Sequence, residues 1–404
     1  MVQEHSPRAA VRRLALSRFV SMAGTDATGV AIGFALYAQT RSAAWLSLSL
    51  MLTVGAGALL APLGGRAGDF VQRRRLMIGA ELAAATVFVA LALVHTPAAL
   101  LALGVLATAI GTVFGPASGA AIAHVAGERE LSWASGLVAT GANVGKMAGR
   151  LVAGALIAIL GVGSVFVLDA ITFLLSAWLI ASVRRAFSAP LTGPPPGEPE
   201  PEPRQGGLRA LLENPTARPL VASACISTFA TAFTMTAEVP LVFELGAGAL
   251  GLGALTASWG AGMVAGSWWG GRTLHRGNEA SGVLAGRLVM AAGVGLVAAA
   301  PSIGPALACY LLGGLGGGFM GVAANSMILR SVSDAERPRL LGVIESCRNT
   351  TFGLGVIGAG ALVGLLGSQP VYAAVGIVMA LGTIPVAAFV RRLGGFRALW
   401  PAVA

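Results

Sequence analysis

Charge is scarce in this 404-residue sequence. Asp, Glu, Lys and Arg make up 11% of it, against about 25% in a soluble chain. A single lysine, Lys146, serves the whole length. That scarcity excludes an ordinary water-soluble globular domain. Cysteine is rarer still. Cys225, Cys309 and Cys347 all fall in apolar segments, with no metal-ligand spacing and no disulfide framework, so they read as small buried hydrophobes. The four histidines, His5, His95, His124 and His275, are scattered. No nucleophile–base set can be assembled around them, so no enzyme activity, metal or cofactor is implied.

Nucleotide motifs are missing as well. The stretch TGANVGKMAG, Thr140 to Gly149, imitates a phosphate-cradling loop, but Gly141 stands one residue too close and Met147 replaces the hydroxyl. Gly316, Gly318 and Gly321 spell G-x-G-x-x-G inside an apolar run with no strand before it; helix packing is the reading. ATP drive has no support.

What is present is hydrocarbon. Hydrophobic residues make up 55% of the chain, in segment after segment of about 20 residues, enough to cross about 30 Å of bilayer. The 57 glycines suit close helix–helix contact. The fold class is therefore an all-α membrane protein, with the lipid bilayer as its solvent. Twelve spans are expected, near 16–38, 44–66, 76–95, 98–124, 132–159, 162–183, 217–240, 249–272, 281–300, 303–330, 339–365 and 369–390. The basic start HSPRAAVRRLALSRF leads into a run of spanning length, as an uncleaved first helix does. The formal charge of +10 sits at helix ends and not on one face, which argues against nucleic acid. One set of connections holds Arg8, Arg12, Arg13, Arg73, Arg74, Arg75, Arg184, Arg185, Arg391 and Arg392, among others; the opposite set holds Arg41 alone. The positive-inside rule then puts both termini in the cytoplasm.

Ser188 to Gly207, SAPLTGPPPGEPEPEPRQGG, is rich in Pro, Gly and Glu without an apolar period and reads as a solvated tether. The chain divides into an N-terminal six-helix half (1–187), a cytoplasmic linker (188–214) and a C-terminal six-helix half (215–404). The halves repeat: Gly64–Arg66 recurs as Gly270–Arg272, an offset of 206. The same shift pairs Gly136 with Gly342, Asn143 with Asn349, Gly149 with Gly355 and Gly154 with Gly360. Duplicated six-helix halves are a transporter layout.

GRAGDFVQRRR, Gly65 to Arg75, resembles the G-x-L-(A/G)-D-R-x-G-R-(R/K) loop of the major facilitator superfamily. Gly65, Gly68, Asp69, Arg73 and Arg74 match; Ala67, Phe70 and Gln72 depart. VLDAITFLLSAWL in the sixth span is similar to the enterobactin-exporter and macrolide-efflux branch. Two positions differ from drug/proton antiporters: Ala107 stands where they often carry an arginine, and Gly149–Arg150 where they often carry Gly-Pro. The resemblance implies a monomeric secondary transporter working by alternating access, with substrate near the midplane between the halves. It implies a cytoplasmic gate of Gly65, Asp69, Arg73 and Arg74, closing on the start of the eleventh span near Arg339.

The ionisable residues inside the spans carry the rest. Asp26 lies mid-span, where a carboxylate costs about 2.5–3.5 kcal/mol on insertion scales; it reads as a proton-coupling site, or as an aspartate that fixes helix packing. Lys146 and Arg150 are one turn apart on one face, Lys146 about 21 Å into its span. With Asn143 they form a cationic cavity wall for substrate, or Lys146 forms a structural pair with Asp26. Glu345 and Arg348 read as a local or inter-half ion pair. Glu81 and Arg287, at equivalent repeat positions, read as helix-end polar contacts, and Asp169 as a structural hydrogen-bonder. The function expected is proton-coupled efflux of a drug-like or secondary-metabolite small molecule. The alternatives are uptake of an anionic metabolite and a non-transport scaffold or receptor on the same fold.

Overall fold

A computed structural model describes residues 7–70, 72–127, 130–183, 187, 211–275, 277–331 and 337–392; within 61–70 it describes the backbone only. Among the described residues the chain is helical without strands. The first six helices are α1 (Pro7–Thr40), α2 (Ala43–Phe70), α3 (Arg73–Leu93), α4 (Pro97–Ala126), α5 (Leu131–Leu160) and α6 (Val162–Ser182). The second set is α7 (Ala217–Glu244), α8 (Gly248–Thr273), α9 (Glu279–Leu296), α10 (Ile303–Arg330), α11 (Arg337–Leu366), α12 (Ser368–Leu381) and α13 (Ile384–Arg392). Among the described residues, eleven stretches are long and apolar enough to cross a membrane, α12 and α13 counting together as Ser368–Arg391; α2 adds a shorter apolar stretch, Ala43–Gly57.

The 206-residue offset carries over to the helices. Shifted by it, α5 and α6 begin where α11 and α12 begin. Single glycines make both turns: Gly161 joins α5 to α6 at φ 83°, and Gly367 joins α11 to α12 at φ 80°. A side chain is strained at that φ, and glycine is not. The chain resolves into two compact units, Met1–Arg41 with Ser49–Glu200, and Ser42–Leu48 with Pro201–Ala404.

Within the first unit, α5 lies directly on α1. A Cβ on Gly141, Gly145 or Gly149 would fall 2.8, 2.3 or 1.9 Å from the carbonyl oxygens of Ala15, Phe19 and Ala23. Only bare backbone fits, so TGANVGKMAG is a packing stripe of glycines one turn apart. Gly355 of α11 meets the Phe229 carbonyl of α7 in the same way, 2.6 Å from a would-be Cβ; this is the repeat mate of the Gly149–Ala23 contact. Gly316 approaches the Gly286 carbonyl and Gly318 the Met263 carbonyl, so two of the three glycines in G-x-G-x-x-G do pack helices. Around Gly321 there is open space.

Some expectations fall elsewhere. Residues 188–210, which hold most of the expected linker, lie outside the described residues. Asp69 and Gly65 belong to the last turns of α2 and not to a loop, because the helix runs on to Phe70 and α3 starts at Arg73. Their side chains are outside the described set.

Candidate functional site

The glycine stripe fixes the register of α5 on α1, and the register chooses the partner of Asp26. The three contacts advance together along both helices, so the helices run parallel and Gly149 is level with Ala23. Lys146 is then level with Val20, about 9 Å short of Asp26 at 1.5 Å per residue, whereas Arg150 is about 3 Å away along the axis. Accordingly Arg150 Nε donates to Asp26 Oδ1 at 2.9 Å. The expected Asp26–Lys146 pair is therefore replaced by Asp26–Arg150. Asp26 is 15% exposed and Arg150 38%, so the carboxylate is the more sheltered member. Lys146 and Asn143 are exposed on α5, and among the described residues no ion pair forms at Lys146.

A second polar cluster lies further toward the start of α1. Ser17 Oγ and Ser176 Oγ are 2.8 Å apart in a buried contact between α1 and α6. Glu81 of α3 is 1% exposed. The hydroxyls of Ser21 and Ser176 and the charges of Arg18 and Asp169 adjoin it, yet neither carboxylate oxygen has a partner within hydrogen-bond geometry among the described residues. Asp169 is fully buried; Thr28 Oγ1 donates to its Oδ2 at 2.6 Å and Thr172 Oγ1 to its Oδ1 at 3.0 Å. A Cβ on Gly24 would collide with that carboxylate at 1.9 Å, so the aspartate sits against bare α1 backbone.

The repeat reproduces this cluster with the charge reversed. Ser223, the mate of Ser17, donates to the Gly382 carbonyl at 2.5 Å, and Gly382 is the mate of Ser176. Arg287, the mate of Glu81, donates to Ser227, the mate of Ser21, and is 2% exposed. Glu81 and Arg287 were expected as helix-end contacts; both are interior. Each is the ninth residue of its helix, and α6 or the α12–α13 break covers it. Arg18 was not singled out from sequence, although an arginine within an apolar run was the signal available.

The remaining expected residues are satisfied locally. Arg74 donates to the Ala181 carbonyl at the end of α6, and Arg13 reaches the next carbonyl, Ser182, at 2.9 Å. Two guanidinium groups thus meet the negative end of the α6 dipole. Arg73 opens α3. Glu345 and Arg348 pair with each other at 3.5 Å, three residues apart on α11 and both well exposed. The pair is local, set by helix spacing.

A polytopic helical protein built twice from six spans, with ionisable side chains held inside both copies, has the construction of a membrane carrier. The sequence model of the Major Facilitator Superfamily matches residues 14–307 and 220–395. The chain belongs to that superfamily of transporters, whose members bind small-molecule substrates. No curated protein matches the sequence. Solved structures share the fold. A POT family transporter in complex with 5-aminolevulinic acid superposes with TM-score 0.73 at 10% identity, over 95% of this chain and 96% of that one. The nucleoside transporter NupG gives 0.71 at 12%, over 94% and 98%. A bacterial homolog to the human lysosomal transporter Spinster, inward-facing and occupied, gives 0.70 at 14%, over 99% and 100%.

Proposed function

We propose that this chain is a monomeric secondary active exporter of the cytoplasmic membrane, with both termini in the cytoplasm. By alternating access it exchanges protons for a drug-like or secondary-metabolite small molecule. The observation that carries this reading is the Asp26–Arg150 ion pair, held at 2.9 Å between two apolar spans. A carboxylate at that depth is costly and marks an ion or substrate path. Protonating Asp26 removes the counter-charge of Arg150, leaving it and Lys146 as two cationic rungs one turn apart. A proton and a donor-bearing substrate group compete for the Asp26 carboxylate, so it holds one or the other, which is the requirement for exchange. An electron-rich group that follows the proton onto Arg150 meets instead the requirement for cotransport.

The likeness of VLDAITFLLSAWL to the exporter branch supports the direction, and the arginine asymmetry of the connections supports the orientation. Gly65, Asp69, Arg73 and Arg74 are proposed as the cytoplasmic gate on the loop resemblance. Uptake of an anionic metabolite is the second reading, favoured by the exposed Lys146 beside Arg150. Purified protein in liposomes, loaded with candidate substrates and an internal pH dye, tests both readings. Substrate-driven proton movement in the opposite sense is expected. Substrate flux without proton movement refutes the coupling, and accumulation of organic anions establishes the second reading.

A further inference from the structure

The first unit holds a half-open cavity of about 490 Å³ between α1, α2, α3, α4 and α6. The repeat shows that it is built in and is not a packing defect. In the second six-helix set the same place is filled: Trp259 stands where Thr53 does, and Tyr310 where Gly104 does. The Trp259 and Tyr310 rings meet edge-on with centroids 6.1 Å apart. Gly314 and Gly318, the mates of the cavity's Thr108 and Thr112, lie so close to α8 that a Cβ would fall 2.1 and 2.2 Å from its carbonyl oxygens. Thus one copy is closed by two aromatic rings and a glycine seam. The other is opened by small residues and furnished with hydroxyls.

Its polar wall has a definite sense. All five threonines that line it direct their hydroxyl hydrogens elsewhere. Thr25 donates to the Ser21 carbonyl at 2.9 Å and Thr28 to Asp169 at 2.6 Å. Thr53, Thr108 and Thr112 donate to the backbones of their own helices at 2.8, 3.0 and 2.7 Å. What they turn to a guest is lone pairs. Glu81, 1% exposed with both oxygens unpartnered among the described residues, adds a carboxylate to this acceptor surface. An unmade hydrogen bond at a buried carboxylate is costly, so a donor-rich cation is the complement.

Arg18 provides the opposite pole. Its guanidinium rests over the Phe114 ring, 5.0 Å from the centroid. It feels the charge of Glu81 without closing an ion pair with it among the described residues. Among the described residues the one other charge adjoining Glu81 is Asp169 of α6, already held by Thr28 and Thr172; α4 lines the cavity with no charged side chain. A guest carrying only one charge would leave either Arg18 or Glu81 unmatched in a low-dielectric space. A neutral guest with separated charges would not. The stacked rings of Phe88 and Phe173, centroids 4.9 Å apart, supply an apolar floor.

We infer that this cavity, inside one six-helix half, binds a small amphipathic zwitterion. The amine lies on Glu81 and the threonine oxygens, the acidic group on Arg18, and the hydrocarbon body against the aromatic rings. Binding stands apart from the transport reading and is measured without a gradient, so either can fail while the other holds.

The test uses the full-length protein in nanodiscs, titrated by saturation-transfer NMR with three probes of one shape: L-phenylalanine, 2-phenylethylamine and 3-phenylpropionate. L-phenylalanine is expected to bind at least about tenfold more tightly than the other two, the loss of one charge-assisted contact. Glu81→Gln and Arg18→Met should each weaken L-phenylalanine by a similar factor. Thr53→Trp leaves both charges in place and installs the residue that the second half carries at that position; it should abolish binding while the protein stays folded by circular dichroism. Equal affinity for the three probes, no binding to the wild type, or undiminished binding in Thr53→Trp would each overturn the assignment.

Discussion

Gly149→Ala adds one methyl group to an apolar helix, and propensity alone would make it stabilising by roughly 0.5–1 kcal/mol. The structure reverses the sign. The new Cβ would stand 1.9 Å from the Ala23 carbonyl oxygen, and ordinary contact begins at 3.4 Å. Both atoms are fixed to backbone, so no rotamer change relieves the clash, and α5 must retreat from α1 by about 1.5 Å. Overpacking of that kind costs about 1–3 kcal/mol. The retreat also draws Arg150, the next residue, away from Asp26, whose 2.9 Å contact does not survive such a shift as a hydrogen bond. Gly136→Ala is the control: it is the same exchange on the same helix, with nothing within 4 Å of the added carbon. Thermal unfolding of the two purified variants in one detergent should show Gly149→Ala melting below the wild type and Gly136→Ala at or slightly above it. Equal melting temperatures would refute the register on which the placement of Asp26 depends.

Asp26→Asn combined with Arg150→Met should lose less stability than the two single losses added together, by about 0.5–3 kcal/mol, because each single change strands a charge. Combining Asp26→Asn with Lys146→Met should be additive, and a coupling there as large as that with Arg150 would restore Lys146 as the partner. Asp69→Asn is expected to slow liposome transport while leaving expression and melting near wild type; an unchanged rate removes Asp69 from the gate. Membrane-impermeant thiol labelling from outside the cell should reach a cysteine at Ser302 and miss one at Gly197. The reverse pattern would invert the proposed orientation.

Residues in the spans divide sharply into those readable from sequence and those not. Several helix limits were readable: a span expected at 132–159 is α5, Leu131–Leu160, and one expected at 303–330 is α10, Ile303–Arg330, whereas α1 begins at Pro7 and not near 16, and the span expected at 369–390 is broken into α12 and α13. The role of TGANVGKMAG was not. As sequence it imitates a phosphate loop, although the glycine spacing of four is that of a helix contact stripe. Asp169 was read as a hydrogen-bonder and is one, twice over. Glu81 reads as a helix-end contact because it lies near the start of its span, and position along a span takes no account of the neighbouring helix that covers it.

Hydropathy is a local property, and the length of hydrocarbon to be crossed is fixed. The sequence by itself therefore determined the membrane class, the spans and the 206-residue repeat, and through the GRAGDFVQRRR and VLDAITF stretches it pointed to the superfamily. Helix rotation and register are not local. They depend on which backbones can touch, and here Gly141, Gly145 and Gly149 decide it against Ala15, Phe19 and Ala23. Only the tertiary structure could then give Asp26 to Arg150 and not to Lys146. It alone could bury Glu81 and Arg287 at matching places with opposite charge, and leave open in one half the space that Trp259 and Tyr310 close in the other.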